Sequence, residues 1–226
     1  GGSLTPIEGK TTGDIDLTFN GTNFRNASGT LNAAITANAG TAERGLIPVN
    51  GDVRLTATNG LFNVDRADLN TEKSKLTATG RFDLKDENSD LNVALRSMDA
   101  AEIDRLVRVL DLSPALEEQL NSMEVQVAGN LNFDGTVKGN LTDPIVDGKA
   151  SLDSIALRGR ELGRVTTDVF VSPDGVDLKN GKLVDGSGGN AEFAVNMPRT
   201  GSNNVAIKAT LTNVNAGNLL AALPIT

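Results

Sequence analysis

The sequence predicts an all-β chain: a mostly antiparallel sheet of many short strands, with short helices around 99–121 and 216–223. Three observations carry this. Apolar and polar residues alternate with a period of two, which makes one face of each strand greasy and the other wet. Turn dipeptides such as Asp-Gly and Gly-Asn recur about every eight to twelve positions, as in a chain that folds back on itself repeatedly. The stretch from Gly129 to Val195 shows both features most fully: Leu131 and Phe133 flank Asn132, Val169 and Val171 flank Phe170, and Val176 and Leu178 flank Asp177.

The first strand alternates Ile15, Leu17 and Phe19 with Asp14, Asp16, Thr18 and Asn20, and Asn20-Gly21 turns it. Leu31, Ala33 and Ile35 follow, then a glycine- and alanine-rich loop through Gly45. Val53, Leu55 and Ala57 form the next strand, closed by Asn59-Gly60. Phe62 with Val64, Leu76 with Ala78, and Phe82 with Leu84 come next. The polar run from Asp86 to Asp90 reads as a hairpin loop before Leu91, Val93 and Leu95. The period then changes: Ile103, Leu106, Val107 and Leu110 make one stripe of a helix, with Asp99 placed to cap it and Glu102 three residues on. A second short helix is expected from Ser113, with Pro114 in its first turn. Strands resume at Val125 and Val127 and end with Val205, Ile207, Ala209 and Leu211, before a weak apolar helix around Leu219 to Leu223.

The two halves repeat. Gly13-Asp14-Ile15-Asp16-Leu17 matches Gly129-Asn130-Leu131-Asn132-Phe133, 116 positions later. Asn20-Gly21-Thr22 matches Asp134-Gly135-Thr136, and Leu95 with Met98-Asp99-Ala100 matches Leu211 with Val214-Asn215-Ala216. A shared order at a nearly constant offset reads as a duplicated unit. The expected organisation is a tag remnant and lead-in over 1–12 and a first unit with a terminal helix over 13–110. A short helix and connector follow over 111–128, then a second unit over 129–226, all in one continuous structural domain. Gly1-Gly2-Ser3 reads as a cloning remnant, and the chain as a piece of a longer one.

Composition excludes several functions. The chain has no Cys and no His, which removes disulfides, thiolate chemistry, the usual zinc sites and every His-based acid–base or triad mechanism. Net charge is −8 with scattered basic residues, unlike the positive stripe that nucleic acid requires or that anionic membrane surfaces attract. No run of eighteen apolar residues supplies a membrane-spanning helix. Seven Phe with no Tyr or Trp leave an aliphatic lining without hydrogen-bonding handles. Asp83, Asp86, Glu87 and Asp90 fit no calcium loop and read as a solvated hairpin tip. Asp14 and Asp16 sit on a wet face without a pocket, a poor glycosidase pair. Ser74 and Lys75 are adjacent and so point to opposite faces of a strand. No cofactor is called for, and the chain reads as non-enzymatic.

About twelve strands of roughly five residues would present on the order of 900 Å² of apolar face. Soluble monomers rarely leave more than roughly 300–600 Å² of contiguous apolar surface uncovered. A sandwich, a closed barrel and a ligand-filled trough would each answer this, and the helix near Ile103 would either cover a sheet end or plug such a trough.

Gly135-Thr136-Val137 and the run from Leu141 through Asp143-Pro144-Ile145-Val146-Asp147-Gly148 resemble the strand and "P-x-x-x-G" cadence of the TamB and AsmA-like envelope proteins of diderm bacteria, the translocation and assembly module among them. Pro173-Asp174-Gly175-Val176-Asp177-Leu178, Gly181-Lys182-Leu183 and the Met98-Asp99-Ala100 step are similar to that family too. The resemblance implies a curved sheet forming an apolar groove, a β-taco or half-barrel. It also implies a periplasmic segment whose parent chain is anchored in the inner membrane. The implied function is phospholipid transfer between membranes in support of outer-membrane biogenesis, with an outer-membrane barrel protein as a partner. In that reading Ile15, Leu17, Phe19, Leu31, Val53, Leu55, Val93, Leu131, Phe133, Val169, Val171, Leu178, Phe193, Val195 and Ile207 contact phospholipid acyl chains, and head groups stay in solvent. Two other readings stand beside it: a scaffold that receives strands of nascent outer-membrane proteins by β-augmentation, and a structural β-repeat of the cell surface.

Overall fold

A computed structural model describes residues 7–19, 21, 24–38, 46–109, 121, 124–186, 188–199 and 205–212. The chain is all-β. A small parallel pair joins β1 (Ile7–Glu8) to β4 (Ile47–Pro48). Among the described residues every other strand belongs to one antiparallel sheet of twelve strands that does not close on itself. Its members are β2 (Lys10–Thr18), β3 (Ser28–Thr36), β5 (Asn50–Thr58), β6 (Leu61–Asn70), β7 (Ser74–Asp83) and β8 (Asn88–Ser97), followed by β9 (Val125–Gly139), β10 (Ile145–Leu157), β11 (Arg160–Ser172), β12 (Gly175–Val184), β13 (Asn190–Pro198) and β14 (Ala206–Thr212). Each is hydrogen-bonded to its neighbours in chain order, β4 alone standing aside.

Strands run longer than the expected five residues, up to the 15 of β9. The reason lies in the turn dipeptides. Asn59-Gly60, with φ of 50° and 89°, makes a real two-residue turn between β5 and β6, because positive φ at both central residues matches the twist of the flanking strands. Asp134-Gly135 and Asp147-Gly148 lie inside β9 and β10 and turn nothing. The turn between β10 and β11 is instead made by Arg158-Gly159, at φ 50° and 69°. The strand that opens at Val125 therefore continues through Gly129, so the expected start of a second unit falls inside β9. At the other end β2 begins at Lys10, within the expected lead-in.

Register shifts interrupt several ladders, including β10 with β11 between Leu152 and Ile155, and two of the bulges correspond. One lies in β6 between Val64 and Ala67, the other in β12 between Leu178 and Gly181, 114 positions later. Asn180 takes φ 51° there, a conformation Asn tolerates better than most side chains. Each bulge carries one extra residue, so the apolar positions change from even to odd numbers across it while staying on the same face. The fourth sheet strand of each six-strand block thus carries the same irregularity.

The helix α1 (Ala100–Val109) forms where its apolar stripe and cap predict it. Asp99 Oδ1 accepts the Ala101 amide at 3.2 Å, and the Asp99 carbonyl accepts the Glu102 amide at 3.0 Å. The helices expected from Ser113 and around Leu219 lie outside the described residues.

By internal contacts the chain divides into one compact unit of Gly1–Arg96 with Asp134–Ile145 and another of Ser97–Phe133 with Val146–Thr226. In the first, Ala27, Ala57 and Phe62 are buried, with Leu17, Leu55, Phe82 and Leu84 packed on them. The rings of Phe62 and Phe82 stack with centroids 5.0 Å apart and 3° between planes. In the second, Val165, Leu183 and Ala191 are buried against Ile155, Leu162 and Phe193.

Gly29, opposite Leu17 and Ala57, holds φ +136°, and a Cβ there would sit 1.9 Å from the Asp16 carbonyl oxygen. Both strain and collision oppose a side chain. Gly29→Ala is expected to destabilise the protein by about 1–3 kcal/mol, read as a lower urea midpoint at unchanged slope.

Candidate functional site

The register ladders place the predicted apolar positions on one face of each unit. In the first unit Ile15 pairs with Leu31, Leu31 with Leu55, and Leu55 with Val64, while Val53 pairs with Ala33 in the adjoining row. Leu17 lies in the next row beside Gly29. Phe19 follows the last residue of β2, and Val93 lies within β8 between the exposed Asn92 and the half-buried Ala94. In the second unit Val171 pairs with Val146 and Val176, and Val169 with Gly148 and Leu178. Leu178 pairs with Val195, Val195 with Ile207, and Phe193 with Gly181 and Ala209. Leu131 and Phe133 alternate with Asn130 and Asn132, whose amides donate to Asp153 and Ser151 on the polar face. One row therefore crosses five strands: Gly148, Val169, Leu178, Val195 and Ile207.

None of the predicted positions is fully buried. Ile15, Phe19 and Ile207 are 69%, 37% and 48% exposed, and the rest are half-buried. The deeply buried side chains of the same face are others: Phe62 and Val64 in the first unit, and Val165, Val176, Leu183, Ala191 and Met197 in the second. In the second unit these flank the half-buried row on both sides, Val176 with Met197 toward one end of the strands and Leu183 with Ala191 toward the other. Alternation groups Val176 with Leu178, and the bulge in β12 brings Leu183 onto the same face. Only the ladder shows which lie mid-strand and which lie under the strand ends.

Two polar groups of the face are satisfied internally. Thr167 Oγ1 donates to the Lys179 carbonyl at 3.1 Å, and Ser89 Oγ to the Gly139 carbonyl at 2.7 Å. Gly181 gives Phe193 its seat: a Cβ there would lie 2.5 Å from the ring. The ring therefore rests on bare backbone.

The opposite face is clasped by carboxylates. Asp168 accepts from Lys149 Nζ and Asn180 Nδ2, both at 2.7 Å, across three strands. Asp153 accepts from Asn130 Nδ2 at 2.7 Å, with Arg164 Nε at 3.5 Å. Asp177 accepts from Asn196 Nδ2 at 2.6 Å, with Lys179 Nζ at 3.4 Å. These hydrogen bonds favour the ionised form. The bond from Lys149 is the largest influence holding Asp168 below the usual carboxylate range, and the bonds from Asn130 and Asn196 do the same for Asp153 and Asp177. Lys149 is raised in turn, first by its hydrogen bond to Asp168. Carboxylates held low contribute stability above their unfolded range and lose it as pH falls through that range and below. The melting temperature is therefore expected to fall on acidification. Asp168→Asn should flatten that acid limb by lowering the neutral-pH melting temperature slightly toward the acid value, a small change because the clasp is largely solvent-exposed. Circular dichroism melts across pH read both effects.

Hollows in the polar face escape a reading based on alternation. One of about 540 Å³ is lined by Thr12, Asp14, Asn32, Asp52, Arg54 and Arg66. Its two arginines are held within the protein: Arg54 donates to Asn32 Oδ1 at 3.0 Å, and Arg66 is gripped by Asp68. Of the hairpin-tip acids, Asp83, Glu87 and Asp90 are likewise engaged. Asp83 Oδ1 accepts the Lys85 amide at 2.7 Å, Glu87 accepts from Arg25 at 3.1 Å, and Asp90 lies 3.9 Å from Arg81. Among the described residues no group of carboxylates is arranged to hold a metal ion, and no helix is long and apolar enough to cross a membrane.

The chain matches no family model, no curated protein and no solved structure.

Proposed function

We propose that the chain is a non-enzymatic lipid carrier: its apolar face receives phospholipid acyl chains as part of an inter-membrane transfer protein. The supporting observation is the in-register row Gly148, Val169, Leu178, Val195 and Ile207. It is apolar at every position, half-buried from Gly148 through Val195, and 48% exposed at Ile207. Four interstrand steps of about 4.8 Å span about 19 Å. One acyl chain fills half of a hydrocarbon core about 30 Å thick, or about 15 Å. A half-buried row leaves room for methylene contacts that a sealed core would refuse. With no hydrogen-bonding group required, acyl chains gain about 0.8 kcal/mol per buried methylene wherever they lie along it. Movement along the row then costs little, and transfer needs no covalent step. Together with the resemblance to TamB and AsmA-like proteins, this favours a periplasmic carrier acting in outer-membrane biogenesis. Its parent chain would be anchored in the inner membrane and would meet an outer-membrane barrel protein.

Native mass spectrometry of the purified protein tests the reading. Phospholipid adducts are expected, released by delipidation and restored by phosphatidylethanolamine–phosphatidylglycerol vesicles. Protein that stays lipid-free after incubation with those vesicles overturns it.

A further inference from the structure

We infer that the two outer edges of the sheet, β14 and β2, pair with each other between copies of this chain, so that the sheet of one molecule continues into the next. Among the described residues the sheet ends at β14 on one side and at β2 on the other. Every residue of β14 is exposed, and all of β2 is exposed except Leu17. The apolar face reaches the rim uncovered. Ile15 is 69% exposed on β2, and Ile207 and Leu211 are 48% and 42% exposed on β14, whereas their register partners Leu31 and Val195 are half-buried and Ala191 is buried. A long edge strand with an uncovered apolar side is a template for another strand.

The repeat chooses the partner. A shift of 116 residues carries β8 onto 204–213, which contains β14, and carries β9 back onto 9–23, which contains β2. β8 and β9 are neighbours in the sheet. The two free edges are thus the images of a junction the chain already makes. At that junction an arginine meets an aspartate on the polar face: Arg96 Nη2 donates to both Asp134 oxygens, at 2.6 and 2.8 Å. The free edges divide charge in the same sense, with Lys208 on β14 against Asp14 and Asp16 on β2. Pairing β14 with β14 would set lysine against lysine, whereas β14 with β2 sets Lys208 against a strand whose centre carries Asp14 and Asp16, with Lys10 at its start. The contact is heterologous, so it can add molecules beyond two.

Sedimentation velocity and light scattering over a hundredfold range of concentration test this. The wild-type mass is expected to rise from 23.5 kDa with concentration. Ile15→Lys blocks the β2 edge and Leu211→Lys the β14 edge with an inward-pointing charge. Each variant alone should stay at 23.5 kDa with an unchanged circular dichroism spectrum, and an equimolar mixture should form one species of twice that mass. Should either lysine variant fail to fold, Asp16→Lys provides a surface reversal expected to weaken association about tenfold. Three results would overturn the inference: a wild-type mass of 23.5 kDa throughout, as when the edge takes strands only from other proteins; continued self-association of Ile15→Lys, which would mean β14 pairs with itself; or wild-type association of folded variants at both edges, which would place the contact on the sheet face.

Discussion

Val169→Arg is expected to strip bound phospholipid from a protein that still folds. Val169 sits mid-row between Gly148 and Leu178 and is half-buried. An arginine there can run its methylenes over the apolar face and reach solvent with its guanidinium, so the fold survives at modest cost. An acyl chain on the same row meets a charge it cannot pair. Displacing about four methylenes removes about 3 kcal/mol, on the order of a hundredfold in affinity. Leu131→Arg should act alike in β9. Thr166→Arg, exposed on the polar face, adds the same charge and should leave lipid content at the wild-type level. Native mass spectrometry reads all three. Full lipid retention by folded Val169→Arg and Leu131→Arg would sink the carrier reading.

Phe62→Ala is expected to cause the largest loss of stability. Phe62 is 7% exposed, stacked on Phe82 and packed against Ala27 and Ala57. Truncation removes a ring, a stacked partner and a filled volume that Ala57 opposite cannot occupy. The expected cost is about 3–5 kcal/mol, a large share of the total stability of a domain of this kind. Phe62→Leu should recover roughly half of it. Urea denaturation of both variants measures the difference; a loss below about 1 kcal/mol for Phe62→Ala would show that the stacked pair does not anchor this unit.

What the sequence conveys and what it withholds divide along physical lines. The side on which each strand is greasy follows from alternation alone, because the side-chain period is set by the backbone. Ile15, Leu31 and Leu55 could therefore be grouped before any register was known. The helix at Ala100–Val109 was legible from Asp99 and its apolar stripe, since capping is a local hydrogen bond. Strand lengths were not legible. Asp147-Gly148 has the composition of a turn, but Gly148 pairs with Val169 across the ladder, and that bond comes from a strand about twenty residues away. Arg158-Gly159 turns the chain with a residue that carries no turn signature. The paired bulges were hidden for the same reason: an extra residue in β6 or β12 is defined only against its neighbours. Depth was hidden as well, since Val176 and Leu178 alternate identically and only packing makes Val176 the more buried.

The count of strands in each block has a consequence for how such a chain can change. Six antiparallel strands return the backbone to the end of the sheet where it started, heading in the same direction. Parity is thereby conserved. A gene rearrangement that inserts or deletes one whole block leaves every remaining strand with its original direction and partners. A block of five or seven would invert all that follows and expose each hairpin to mismatched neighbours. Length in this architecture can therefore vary in steps of six strands by recombination, without any point mutation being needed to repair the joint.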